Sequence, residues 1–411
     1  MQAYGSSIVD ALRFENEKDD EQKDCAEPEI HTPTFKTTLD LRSNILLEGS
    51  FRNFPLNASL KTLALCATRF EGHIPESLGN LGELTVLDLA DLNLAFNQLS
   101  GALHSTDWSG LSKLVRGNKL SGTIPPTLFG IPSLQELFLS QNQFNSSIGD
   151  LHELEGPVKD ITSNVSFLDL HDNRLRGRIP FLPRAIYLDY SNNKLNSGLP
   201  AQVSDSLEFF YLLSNKFHGR IPPSICIILF LEILDLSDNS LSGSIPQCLF
   251  NMSLRVLNLR RNNLSGIMSD TFSEGCMLQT LNLNQNRLEG KVPKSLTNYK
   301  ILEVLDIENN QIKGTFPSHL KNIDQLHVLV LPSNKFSSHI DCPESNSRGW
   351  PMLHIFDIVA NNFRGKLRLT SLGTWEAMQP NPYKDQSELF IFPVSNANRI
   401  YTLLSGCNNF T

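Results

Sequence analysis

Residues 231–246 read LEILDLSDNSLSGSIP, and the rest of the chain is a copy of that stretch, an interruption in the copying, or an end. Copies follow at 254 (LRVLNLRRNNLSG), 278 (LQTLNLNQNRLEGKVP), 302 (LEVLDIENNQIKGTFP), 326 (LHVLVLPSNKFSSHI) and 353 (LHIFDIVANNFRGKL). Others precede it at 207 (LEFFYLLSNKFHGRIP), 165 (VSFLDLHDNRLRGRIP) and 134 (LQELFLSQNQFNSSI). The leucine opening each alternate pair steps from Leu234 to Leu257, Leu281, Leu305 and Leu329, at intervals of 23, 24, 24 and 24 residues. A period held that closely marks one supersecondary unit stacked many times.

One unit can be read residue by residue. The alternation across Ile233, Leu234, Asp235, Leu236 and Ser237 predicts a short strand, with Leu234 and Leu236 on one face. Those two point into the coil, and Ile233, Asp235 and Ser237 point to solvent. Asn239 turns the chain, and its side chain is expected to bond backbone groups in a ladder of equivalent asparagines, because a half-buried turn must satisfy them. Leu241 and Ile245 return inward, Gly243 permits the tight path between them, and Pro246 ends the segment with a fixed φ. No single unit can cover its own apolar edge, so stacking closes the core.

The expected architecture is an α/β-type solenoid. It is a right-handed superhelix with a parallel β-sheet on the concave face, mostly β and irregular with short 3-10 turns. The array spans 37–369. Ahead of it, 1–36 is expected to be a disordered acidic segment, because ENEKDDEQKD (15–24) has no apolar partner face. Loop insertions are expected at 149–163 and 341–351, and 370–411 is an irregular C-terminal segment without the repeat.

Register breaks are expected between 91 and 118. Leu87-Asp88-Leu89 reads as a strand, yet 91–97 (DLNLAFN) looks like the next one almost at once. Either a turn is missing or one of the two is not a strand. Next, Leu111 to Leu114 lead straight to Asn118, with Val115 or Arg116 where the second leucine belongs, and poor local packing is expected there.

The net charge is −8 and no lysine- or arginine-rich run stands out, which argues against nucleic acid as a partner. Residues 1–24 lack the apolar core of a signal peptide. The longest apolar run, 225–231 (ICIILFL), is far short of the roughly 18 residues of a membrane helix and reads as core. The seven cysteines show no metal-finger spacing. Cys226 and Cys248 follow the prolines of adjacent repeats at similar depth, close enough for a disulfide, with two buried thiols as the alternative. Sequons stand at Asn57, Asn145, Asn164, Asn251, Asn263 and Asn409, and the first five are candidate glycosylation sites.

No catalytic signature, phosphate loop, metal site or cofactor motif is present in the sequence. His152-Glu153 begins an HExxH, but Gly156 stands where the second histidine belongs. His171 lies between Asp169 and Asp172, and a solvated strand histidine is the better reading. Binding is expected on the concave face, where Phe138, Phe167, Tyr187, Phe209, Tyr211 and Leu213 form an apolar part. Ordinary variation, or burial against long neighbours, is the alternative. Downstream, Arg260 and Arg261 meet Asn282, Asn284, Asp306 and Glu308 in a polar part that either holds an acidic ligand group or pairs its own charges across strands.

The repeat matches the leucine-rich-repeat template LxxLxLxxNxLxGxIP in its plant form. Beyond LSGxIP, EGS (48–50), IPPSIC (221–226), IPQC (245–248), NLRRN (258–262) and GTWEAM (373–378) resemble the kinase-less plant receptor-like proteins of the disease-resistance kind, in the same order. The resemblance covers roughly 37–380. It implies a receptor on the extracellular side of the plasma membrane. Such a receptor binds a peptide or glycan elicitor of innate immunity and signals through a partner receptor kinase. A secreted inhibitor of polygalacturonase-type hydrolases, or a truncated non-functional product, is the other reading. This chain departs from the family plan in lacking a visible signal peptide, membrane helix and N-terminal cap.

Overall fold

The computed structural model describes residues 12–14, 38–54, 62–77, 94–103, 116–132, 134–147, 163–339 and 350–365. The chain divides into two compact units, 1–175 with 389–411, and 176–388.

In the second unit the expected strand forms at every repeat. Tyr187–Asp189, Phe209–Tyr211, Ile233–Asp235, Val256–Asn258, Thr280–Asn282, Val304–Asp306, Val328–Val330 and Ile355–Asp357 pair in parallel, each with the next, to make the main sheet. The register aligns Leu234 with Leu257, Leu281, Leu305 and Leu329, so equal template positions form straight columns. All five of those leucines are fully buried, as are Leu236, Leu259, Leu283, Ile307 and Leu331 in the second inward column. Each such side chain contributes about 1.5–3 kcal/mol of burial. After Pro222, Pro246, Pro293 and Pro317 the chain makes the short 3-10 turns Pro223–Ile227, Gln247–Asn251, Lys294–Asn298 and Ser318–Asn322.

The asparagine ladder is present. Asn239 Nδ2 donates to Leu236 O (3.2 Å) in its own turn and to Leu212 O (2.9 Å) one repeat back. Its Oδ1 accepts from Phe217 N at 2.9 Å. Asn262, Asn286, Asn310 and Asn334 repeat the same three contacts. One asparagine therefore joins two turns and leaves no turn amide idle.

Beyond the ladder a second set of parallel strands forms that the leucine pattern did not announce. His218–Gly219, Ser240–Ser244, Asn263–Ile267 and Arg287–Glu289 pair in order, and Lys313–Gly314, Lys335–Ser338 and Asn362–Phe363 make a further set. Gly243 crosses here at φ +80°, a conformation that calls for glycine, and a Cβ would press to 3.1 Å on Arg220 Cγ.

In the first unit Thr38–Asp40 pairs with Thr62–Ala64, and Glu136–Phe138 with Phe167–Asp169. The second type of sheet runs through Glu48–Phe51, Arg69–His73, Gln98–Gly101, Lys119–Gly122 and Gln143–Phe144. At its edge Leu12–Phe14 pairs antiparallel with Glu48–Phe51, so part of the segment expected to be disordered carries a strand. The rest of 1–36, the strand expected at Leu87, the loops at 149–162 and 341–349 and the segment 370–411 lie outside the described residues.

The first register break has a definite solution. Leu65 and Leu94 are both fully buried, and Asn97 follows Thr68 directly in the ladder, its Nδ2 donating to Leu65 O at 2.7 Å. Asn97 thus takes the ladder position next to Thr68, 29 residues on. At the second break Asn118 still bonds Leu94 O (2.9 Å) and accepts from Leu99 N (3.0 Å). Arg116 is half-buried, and its guanidinium lies over the Phe96 ring at 4.9 Å. The long side chain covers a neighbouring ring at the place where a leucine is missing.

The apolar run 225–231 is only partly core. Ile225, Ile228 and Leu231 are buried, but Ile227, Leu229 and Phe230 are 64%, 73% and 64% exposed. Its side chains leave the 3-10 turn in several directions, and only some face the coil. Cys226 and Cys248 are joined in a disulfide, Cα to Cα 5.9 Å. Cys276 is a free, half-buried thiol, and burial pushes its pKa up.

Candidate functional site: the open face of the main sheet

A strand buries alternate residues, so the third and fifth positions of each template face away from the coil. In the second unit the first of these columns reads Tyr187, Phe209, Ile233, Val256, Thr280, Val304, Val328, Ile355. The second reads Asp189, Tyr211, Asp235, Asn258, Asn282, Asp306, Val330, Asp357. Neighbours in a column shield one another, so facing outward does not mean standing free: Ile233 is 3% exposed and Ser237, at the strand's end, 1%.

The same shielding corrects the exposed-aromatic reading. Tyr187 is 7% and Phe209 5% exposed, and in the first unit Phe138 is 7% exposed. Tyr187 packs its ring 6.1 Å from Phe209 and 5.7 Å from Tyr211, and its hydroxyl donates to Asp189 Oδ2 at 3.3 Å. Tyr211 and Leu213 stay half-exposed. Tyr187, packed against both rings, thus backs Tyr211. Phe167, in the first unit, is half-exposed.

The polar part pairs its own groups. Arg260 Nε lies 3.6 Å from Asp238 Oδ2, and Arg261 spans Asp238 Oδ1 (3.1 Å) and Gln285 Oε1 (3.1 Å). Arg255 lies 3.7 Å from Glu232 Oε2 and bonds Gln279 Oε1. Asn284 Nδ2 donates to Asp306 Oδ2 (2.9 Å) and Glu308 Oε2 (3.0 Å). Asn282 is half-exposed, and its Oδ1 accepts Asn284 N at 3.1 Å. Among the described residues of this part, Arg255, Arg260 and Arg261 each lie against an acid of the neighbouring repeat, the arrangement the cross-strand alternative expects. The sequence placed Arg260, Arg261, Asn282, Asn284, Asp306 and Glu308 together in a polar part but did not single out one column of carboxylates on that face. Asp235, Asp306 and Asp357 recur at one template position, and that column was the signal.

Burial pushes the Asp235 carboxyl up, against hydrogen bonds from Ser237 and Asn258 that pull it down. Asp306 is raised by burial against Asn284 and the Glu308 amide, and Glu208 by burial and then by the charge of Glu232. In the first unit His171 Nδ1 lies 2.6 Å from Asp169 Oδ1 and Nε2 3.7 Å from Asp172 Oδ2, so it is a half-buried, carboxylate-held histidine.

Of the sequons, Asn145 and Asn251 are exposed and Asn263 is half-exposed on a strand of the second sheet. Asn164 donates its side-chain amide to Pro132 O at 2.7 Å, which engages one of its two N–H groups. Asn57 and Asn409 lie outside the described residues. No helix among the described residues is long and apolar enough to cross a membrane.

Two leucine-rich-repeat family profiles match the chain, one over residues 253–312 and one over 230–252 and 302–323. Receptor-like protein 35 of Arabidopsis thaliana is 34% identical over 199 residues, which is 44% of this chain and 19% of that protein. Among solved structures, a TDR receptor aligns with a TM-score of 0.70 at 25% identity, covering 84% of this chain and 58% of that one. The ectodomain of the Arabidopsis receptor kinase HAESA, solved with an N-terminally extended IDA peptide hormone ligand, aligns with a TM-score of 0.57 at 26% identity, covering 74% and 54%. The aligned part spans about a fifth to a quarter of the length of the first curated relatives.

Proposed function

We propose that this chain, a leucine-rich-repeat protein of the plant receptor-like kind, is the recognition part of a cell-surface receptor that captures a peptide on the open face of its main sheet. Its role is binding, not catalysis. The observation that carries the reading is Tyr211 with Leu213: half-exposed apolar groups, Tyr211 backed by the buried Tyr187 ring, at one end of the outward columns of the main sheet. Rigid aromatic groups of this kind anchor partners at interfaces. The HAESA ectodomain and its peptide hormone favour a peptide over a glycan as the ligand.

Signalling would follow by recruitment of a partner receptor kinase, and the disease-resistance motifs at 221–226 and 245–248 favour an elicitor of innate immunity as the peptide. The test uses the full chain displayed on a sensor surface, exposed in turn to peptide and oligosaccharide elicitors. Peptide binding weakened about tenfold by Tyr211→Ala, in line with 1–2 kcal/mol for a truncated anchor, supports the reading. Oligosaccharide bound in place of peptide, or peptide binding indifferent to both Tyr211→Ala and Leu213→Ala, overturns it. Peptide-dependent retention of a receptor-kinase ectodomain tests the partner.

A further inference from the structure

The open face of the second unit has an unbalanced charge. Asp235, Asp306 and Asp357 share one outward column, Glu308 follows two residues after Asp306, and Glu208 and Glu303 enter their strands at its edge. Among the described residues none of these six forms a salt bridge; Arg255 and Arg260 lie against other acids, Glu232 and Asp238, with the Arg260 charge also reaching Asp306. The face therefore presents carboxylates in excess across the strands from Phe209–Tyr211 to Ile355–Asp357. Six strand steps separate those two, on the order of 29 Å at about 4.8 Å each. An extended peptide covers that distance with about eight or nine residues at roughly 3.3–3.6 Å each. At one end of the run stand Tyr211 and Leu213.

We infer that the open face takes an extended basic peptide of about eight or nine residues, with an apolar residue against Tyr211 and lysine or arginine along the carboxylates. The inference rests on the peptide reading above and adds the ligand's charge, length and direction of polarity. The carboxylates stand on the face against opposition: burial raises Asp235 and Asp306, and burial with a like charge raises Glu208. A ligand cation adds opposite charge to a face where acids outnumber arginines and relieves that opposition further than Arg260 does at Asp306. It also steers encounter from a distance, an effect that salt removes.

The experiment measures positional-scanning nonapeptide pools, capped at both ends, against the full chain by fluorescence anisotropy. Pools fixed as arginine or lysine bind at least ten times tighter than the same pools fixed as glutamate, and the preference shrinks between 50 and 500 mM salt, a range in which the screening length falls from about 14 to 4 Å. Asp306→Asn with Glu308→Gln cuts the basic preference about tenfold, and Glu289→Gln on the second sheet does not. Pools that bind with acidic or no charge preference overturn the inference while leaving the peptide reading intact. A basic preference untouched by the Asp306 and Glu308 changes is diffuse attraction to a chain of net charge −8, and overturns it equally. Binding by no pool at all overturns the peptide reading itself. A thermal melt of the double variant within 2 °C of the parent keeps a folding defect from imitating the expected loss.

Discussion

The Thr68 hydroxyl lies 2.6 Å from Asn97 Oδ1, a contact that joins adjacent ladder positions 29 residues apart. Thr68 Oγ1 is also 2.9 Å from Leu65 O, so one proton serves two acceptors. Asn97 in turn accepts Phe70 N at 3.0 Å and donates to Leu65 O at 2.7 Å. The ladder crosses the most irregular stretch of the array without a gap, and the leucine columns on either side follow its register.

Asn97→Ala is expected to destabilise the first unit by about 2–3 kcal/mol, since it strands the buried Phe70 amide and removes a donor shared by Leu65 O, Leu94 O and Ala95 O. Thr68→Val, which removes one shared proton, should cost about 1 kcal/mol. Urea unfolding read by far-UV circular dichroism checks both. Equal effects from the two changes would show that Asn97 is not the joint.

Two buried tyrosines should respond to phenylalanine with opposite signs. Tyr190 fills an inward leucine position, fully buried, and its hydroxyl has no hydrogen-bond partner among the described residues. Burial drives its pKa upward. Tyr299 is as deeply buried, but its hydroxyl donates to Phe250 O. Tyr190→Phe should stabilise by about 1 kcal/mol and Tyr299→Phe destabilise by a similar amount. Thermal melts of the two variants side by side give the answer, and a loss of stability in Tyr190→Phe would mean that its hydroxyl has found a donor or a water.

The inward columns, the ladder and the 3-10 turns were legible because each depends on a residue type that recurs at one spacing. Leu234, Asn239 and Pro246 announce themselves in that way. Exposure on the open face was not legible, because it depends on what stands one repeat away: Tyr187 is covered by Phe209 and Tyr211, 22 and 24 residues further on. The turn before each ladder asparagine was also hidden. Phe96, Asp238 and Arg261 all hold φ between 50° and 55°, a region that usually advertises itself by glycine, and only Gly117 does so here. The ladder bonds over-determine that turn and impose the left-handed residue on whatever side chain is present.

The Cys226–Cys248 bridge closes a separation of 22 residues between neighbouring 3-10 turns. A loop of that length predicts a stabilisation of about 3 kcal/mol from the constraint on the unfolded chain. Cys226→Ala with Cys248→Ala should lower the unfolding free energy by that amount in the second unit and leave peptide binding unchanged, because both residues lie off the open face. Binding lost in parallel with the bridge would place the turn in the recognition surface.

Acid should first stabilise the second unit and then destabilise it. Glu208, Asp235 and Asp306 have pKa values raised above their ordinary 4.5, 3.8 and 3.8 in the folded chain, mainly by burial. The folded state then takes up protons more readily than the unfolded one, so stability grows as pH falls from neutrality through the raised values, and the gain is complete once the unfolded carboxylates protonate as well. His319 opposes this below pH 6.5: burial lowers its pKa, so the unfolded state takes the proton first. Asp270, lowered by hydrogen bonds from Ser295, brings a loss only below 3.8. Thermal melts at constant ionic strength should therefore show a maximum on the acid side of neutrality, with a fall below pH 3.8. Asp235→Asn with Asp306→Asn should flatten the rise, and His319→Asn should steepen it. A midpoint temperature that drops steadily from pH 7 would mean that those carboxylates are as well solvated in the folded chain as in the unfolded one, and the open face would lose its charge imbalance as a driving force for a cationic ligand.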